Sequence, residues 1–251
     1  MHRSAKTLLG LATVVSASLM CSGCAPFQAE QVSSASDLVK APPAVVHPVF
    51  DLHQRETSPF PTNWLTTQDD TQNTGLRVNL PMLGDCTAEP RQCTDIGVLN
   101  ELDGFSLQPR VSIPFDGDVD PASVNGSNVF LVKLRGASVR HCDDEVDGDE
   151  VDGDDRFSAQ KIGADQVVWD SASRMLHVEA EVLEQHTRYA MIVSRGIQDA
   201  TGQPIGASIE FRKFNEHVPA PYKCELHDAL RAAGRAGVAK NEVAVASVFT
   251  T

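Results

Sequence analysis

The sequence predicts a mainly β chain: an immunoglobulin-like β-sandwich with one α-helix inserted before the last strand, preceded by a signal peptide and a flexible tether. Three observations predict it. About seven short runs with apolar residues at alternate positions recur, with turn residues between them. One long amphipathic pattern follows them and hands over to a β-prone run. The N-terminal stretch has the charge and length of an export signal. At 251 residues with 41% hydrophobic content, the chain can build a real core in one large or two small domains.

Residues 1–23 are expected to be a lipoprotein signal peptide. Arg3 and Lys6 supply the positive start, and residues 8–20 form an apolar stretch too short to span a bilayer. The small residues Ser22 and Gly23 precede Cys24, the expected acceptor of lipid. Cys21 stands where such motifs usually carry leucine, and the bulky Met20 argues against Cys21 as the acceptor. An acylated cysteine buries many methylenes at about 0.8 kcal/mol each, so it anchors a chain stably. Ala25 in place of aspartate points, by analogy with Gram-negative lipoproteins, to the outer membrane; which face the chain occupies stays open. Residues 24–58, rich in Ala, Ser, Pro and Gln, are expected to be a lipidated flexible linker, with the folded domain over 59–251.

Within that domain, residues 76–80 alternate Leu, Val, Leu against Arg and Asn, a half-buried strand. Residues 95–102 suit a short helix. Residues 111–115 read as a strand that Pro114 confines to an edge or a bulge, because proline cannot donate to a ladder. Residues 128–134 form a strand with Phe130, Val132 and Leu134 on one face. Residues 166–169 and 175–178 form a hairpin, and 188–193 a further strand with Tyr189, Met191 and Val193 on one side. Residues 196–202 form a turn, and 209–214 alternate as a strand of uncertain register. Residues 222–236 form the helix, with Leu226, Leu230 and Ala233 at helical spacing, Pro221 in its first turn and Gly237 at its end. Residues 243–249 are the closing strand, which would complete the domain at Thr251.

Charge and cysteines narrow the function. The net charge of −13 argues against nucleic acid, which needs clustered Lys and Arg. Nine of the 34 acids lie in 143–155, and without them the chain carries about −4, so the acidity is local. Cys86, Cys93, Cys142 and Cys224 remain in the mature chain besides the acceptor, and four cysteines allow three pairings. Cys86 and Cys93 close a short loop and are expected to pair; Cys142 would then be left for Cys224.

The acidic run is the one candidate metal site. Oxygen-rich loops with glycine turns suit Ca²⁺. Set on a calcium-loop pattern, Asp143, Glu145, Asp147 and Gly148 take positions one, three, five and six, with Asp149 beside them and Asp154 at the last. Asp154 replaces the usual bidentate glutamate, and no flanking helices are evident. A solvated, self-repelling loop is the expectation, and weak Ca²⁺ binding the alternative. No other cofactor is expected. A nucleophile elbow needs G-x-S-x-G. Ser106 and Ser208 each lack the second glycine, and His177 and His186 read as structural or exposed. No catalytic residue is assigned.

Several phrases carry a family resemblance. Residues 60–61, 73–81, 102–109 and 111–115 resemble the N-terminal region of bacterial extracellular lipases, including virulence-factor lipase lipoproteins. Residues 120–124, 128–132, 189–193 and 196–202 are similar to a bacterial Ig-like domain of the S-layer (SbsA) type. In the longer relatives an α/β-hydrolase domain follows. The resemblance implies the sandwich and an association with lipase architecture, not activity. The functional expectation is a non-catalytic, lipid-anchored accessory module, with the membrane, a hydrolase domain or an envelope protein as partner. The alternatives are a truncated fragment of a lipase or esterase whose catalytic domain lies downstream, and a Ca²⁺-dependent adhesion module.

Overall fold

The computed structural model describes residues 45–134, 157–163 and 166–251. The described residues belong to one compact unit. In chain order it contains β1 (Thr66–Gln68), β2 (Leu76–Val78), α1 (Pro90–Leu99), β3 (Arg110–Pro114), β4 (Val129–Leu134), β5 (Phe157–Gly163), β6 (Gln166–Asp170), β7 (Met175–Glu179), β8 (Arg188–Ser194), α2 (Phe214–His217), α3 (Ala220–Arg235) and β9 (Val243–Thr250).

Two antiparallel sheets build the sandwich: β3-β7-β6 and β5-β4-β8-β9, with β1-β2 as a separate ribbon. These are the two sheets of an immunoglobulin-like domain, B-E-D and C′-C-F-G in the usual lettering. The place of strand A is taken by single bridges, Pro48 to Phe115 and Phe60 to Ser112, along the free edge of β3. A second hallmark is local. The Tyr189 hydroxyl, at the start of β8, accepts the Glu184 N–H at 3.0 Å, the tyrosine corner that braces the connection into strand F.

The core lies between the sheets because the pleat sends alternate side chains there. Val111 and Ile113 of β3 pair with Val178 and Leu176 of β7, which pair with Val167 and Trp169 of β6. Tyr189 and Phe249, paired across β8 and β9, stack with centroids 5.9 Å apart. The opposite face of the large sheet is apolar too, and α3 packs across all four of its strands. That third layer explains why every residue of β8 and β9 is buried. Buried on both faces, these strands read as continuous apolar runs.

Several elements differ from the sequence expectation. Residues 209–214 do not make a strand: Phe211 opens a 3-10 turn and Phe214 opens α2. Both phenylalanines are 3% exposed, so their spacing of three, not the alternation, is what the fold uses. The helix expected over 95–102 runs instead from Pro90 to Leu99, with proline in its first turn. Of the segment expected to be linker, residues 45–58 are folded, and residues 24–44 lie outside the described residues. Phe50 is 2% exposed and stacks on Trp64, and the Leu52 N–H donates to Glu210 at 2.9 Å. Val46, Val49 and Phe50 give that stretch apolar surface that a free linker would expose.

Candidate functional site

A cluster of buried polar side chains lies where α3 meets the end of the large sheet. Burial on the helix follows its stripe: Tyr222, Leu226, Ala229, Leu230 and Ala233 face the sheet. Glu225 falls on the same stripe and is 3% exposed. Beneath it, in one row of the sheet, Thr250 of β9 lies opposite Arg188 of β8. The 3-10 turn at Asn63–Leu65 packs against β9 and closes the side.

The hydrogen bonds tie these elements together. Asn63 Nδ2 donates to Glu225 Oε2 at 3.0 Å and to Thr250 Oγ1 at 2.9 Å. The Arg188 guanidinium, 4% exposed, donates through Nη2 to Asp228 at 3.1 Å. Its Nε and Nη1, and Asn63 Oδ1, are buried without a hydrogen-bond partner among the described residues. Asp228 also holds Arg231, on the exposed side of the helix, at 2.5 Å. Burial pushes the Glu225 carboxyl up to about 7; the Arg188 charge and the Asn63 bond pull the other way and are outweighed.

One turn earlier on α3, the Tyr222 hydroxyl accepts from Thr62 Oγ1 at 2.7 Å and from the Val248 N–H at 3.4 Å. Ser247 Oγ, 3.4 Å from it, donates to the Pro61 carbonyl at 2.7 Å, which leaves Tyr222 to donate to Ser247. Burial raises the Tyr222 phenol to about 12, so it stays neutral. Trp64 stacks on Tyr222 at 5.6 Å and on Phe50 at 5.4 Å, so the polar cluster has an aromatic wall. What this arrangement does chemically is join helix, strand edge and N-terminal segment through buried hydrogen bonds and one ion pair.

A second juxtaposition lies on the outer face of the small sheet. Ser112 of β3 and His177 of β7 are directly opposite each other, with Oγ and Nδ1 2.9 Å apart. Partial burial first, then the Arg110 charge, hold the imidazole below its ordinary value. His177, expected from the sequence to be structural or exposed, is half-buried and lies opposite Ser112. Cross-strand register creates the pair, and register is not visible in either segment alone.

Of the sequence-derived site residues, Cys86 and Cys93 are joined in a disulfide with Cα atoms 5.6 Å apart. Cys224 is buried on α3, and its expected partner Cys142 lies outside the described residues. So do the acceptor Cys24 and the acidic candidates Asp143, Glu145, Asp147, Asp149 and Asp154. Among the described residues, no group of three or more His, Cys, Asp or Glu is placed to hold a metal ion. Glu225 and Arg188 were missed, yet a signal existed: Glu225 is a charge on the apolar stripe of the helix, and Arg188 adjoins the continuous apolar run of β8.

Comparison with known proteins finds no matching family model and no matching curated protein. Among solved structures, the chain is distantly similar to domains 1–6 of the surface layer protein SbsC, at 16% identity and a TM-score of 0.25 over 48% of this chain and 15% of that one. A second structure of the S-layer protein SbsC gives 15% identity and a TM-score of 0.26 over 47% and 14%. The chain thus spans only a small part of the proteins it matches.

Proposed function

We propose that this chain is a non-catalytic, lipid-anchored accessory module of the cell envelope, held at the outer membrane through Cys24, with an Ig-like domain that positions a hydrolase domain or an envelope partner. The observation that carries the reading is how the polar side chains of the described domain are used. Glu225, Arg188, Asn63, Tyr222 and Ser247 are sealed beneath α3 and join elements to one another. Ser112 and His177 stand on a sheet face, where an acyl-transfer site would also need donors aimed at a developing oxyanion. The resemblance of 60–61, 73–81 and 102–109 to the front of bacterial extracellular lipases supports a hydrolase domain as the partner.

Two assays test it. Expressed with its leader in a Gram-negative host, the chain should incorporate labelled fatty acid and fractionate with outer membranes. Cys24→Ala should abolish both, and label retained in that variant contradicts the anchor. The purified chain should turn over short-chain p-nitrophenyl esters no faster than buffer. Turnover that Ser112→Ala or His177→Ala removes would show that the domain is itself an esterase.

A further inference from the structure

Glu225 occupies an unusual position for a carboxylate. It faces the sheet from α3 at 3% exposure, and its hydrogen-bond donor is the Asn63 amide. The charged and polar groups around it come from every element of the junction. Arg188 of β8 is the cation, and its Nη2 is committed to Asp228. Asp228, one turn along α3, is a second acid that repels an ionised Glu225. Arg231 is the cation outside that pair, engaged on Asp228 with its own side chain 63% exposed. The 3-10 turn and β9 contribute the neutral groups Asn63 and Thr250. Tyr222, on the same helix, stays neutral. The junction therefore neutralises the half-buried Asp228 with its cation and leaves the buried Glu225 to a single amide.

We infer that Glu225 makes the seating of α3 on the large sheet pH-dependent, the helix being held most firmly when this carboxyl carries a proton and loosened when it ionises between Arg188 and Asp228. The device goes beyond the accessory-module reading and does not depend on it. Its direction follows from linkage. An unfolded glutamate ionises near 4.5, and this one in the folded chain near 7. Between those values the folded protein keeps a proton that the unfolded chain has lost. The stabilisation is therefore complete at the lower value and disappears as pH rises through the upper one. His227, on the same helix, opposes this. Burial and the neighbouring Lys240 and Arg231 charges lower its pKa, so its contribution is lost as pH falls below the ordinary imidazole value. The difference between the natural protein and Glu225→Gln is accordingly the quantity to read.

The test is urea unfolding of both proteins at about pH 5 and about pH 8, followed by Trp64 fluorescence in a Trp169→Phe background; Trp64 stacks on Tyr222 of α3 and reports its seating. The unfolding constant of the natural protein should rise from the lower to the higher pH by roughly tenfold or more relative to that of Glu225→Gln. Identical pH profiles for the two proteins overturn the inference. Should Glu225→Gln not fold, a carbon-13 NMR titration of the Glu225 carboxyl in the natural protein decides. A midpoint near 7 supports the inference, and one near 4.5 overturns it.

Discussion

Asp103 and Gly104 show how single residues serve the fold. The Asp103 carboxylate accepts the Asn73 and Thr74 N–H groups at 2.9 and 3.0 Å and the Thr74 hydroxyl at 2.5 Å. Burial works against its ionised form, and the Thr74 and Asn73 bonds outweigh that, holding the carboxyl below its ordinary value. Its contribution is present above the ordinary aspartate pKa and lost as pH falls below it. Asp103→Ala should cost about 1–3 kcal/mol in denaturant titration at neutral pH, and the difference from the natural protein should shrink in acid. Gly104 has φ of 85°, and an added Cβ would stand 2.8 Å from the Thr250 carbonyl oxygen. Gly104→Ala therefore meets both a left-handed backbone and a wall of the terminal strand. About 2 kcal/mol or more of lost stability is expected, readable as a fall in the urea midpoint. An Ala variant as stable as the natural protein would mean that Gly104 does not lie against Thr250.

The elements divide by how much of their cause is local. Strand pairs such as β6–β7 were legible because a turn at Asp170–Arg174 links two short alternating runs; Asp170 itself accepts from Ala172 N–H and the Ser173 hydroxyl. Pro114 marked an edge, and β3 is an edge strand. The amphipathic stripe of α3 was legible within two residues at its start and one at its end. What was not legible depended on distant partners. Phe211 and Phe214 look like strand residues until the ring of Phe50 is placed 5.4 Å from Phe211, and nothing within 209–214 encodes that neighbour. The folding of residues 45–58 has the same cause, because Val46 and Phe50 gain surface to cover only once β3 exists. Two element-scale predictions follow from this packing. Leu226→Ala, at a fully buried site under α3, should cost about 2–5 kcal/mol in thermal or urea unfolding. Tyr189→Phe, which deletes the corner bond to Glu184, should cost about 1–2 kcal/mol without altering the circular dichroism spectrum.

At the scale of the molecule, the protein is a sandwich with a helix as third layer, and the Cys86–Cys93 disulfide staples a lobe outside it. Sequence patterning was enough for the sandwich, since strand number, turn spacing and the helix before the last strand are properties of contiguous segments. It was not enough for the junction of Asn63, Arg188, Glu225 and Thr250, whose members are separated by up to 187 residues. Removing the disulfide with Cys86→Ala and Cys93→Ala should loosen the loop around α1 while leaving the sheets intact, as hydrogen exchange in the two regions would register. The same method tests the central claim most directly. Because the Val248 N–H turns away from β8 to Tyr222, the amides of Val245, Ser247 and Phe249 are the ones that face β8. In native-state hydrogen exchange resolved by residue, those three amides should fall in the slowest-exchanging class together with the amides of β8. Fast exchange at all three, with β8 still protected, would contradict a sandwich closed by its last strand beneath α3.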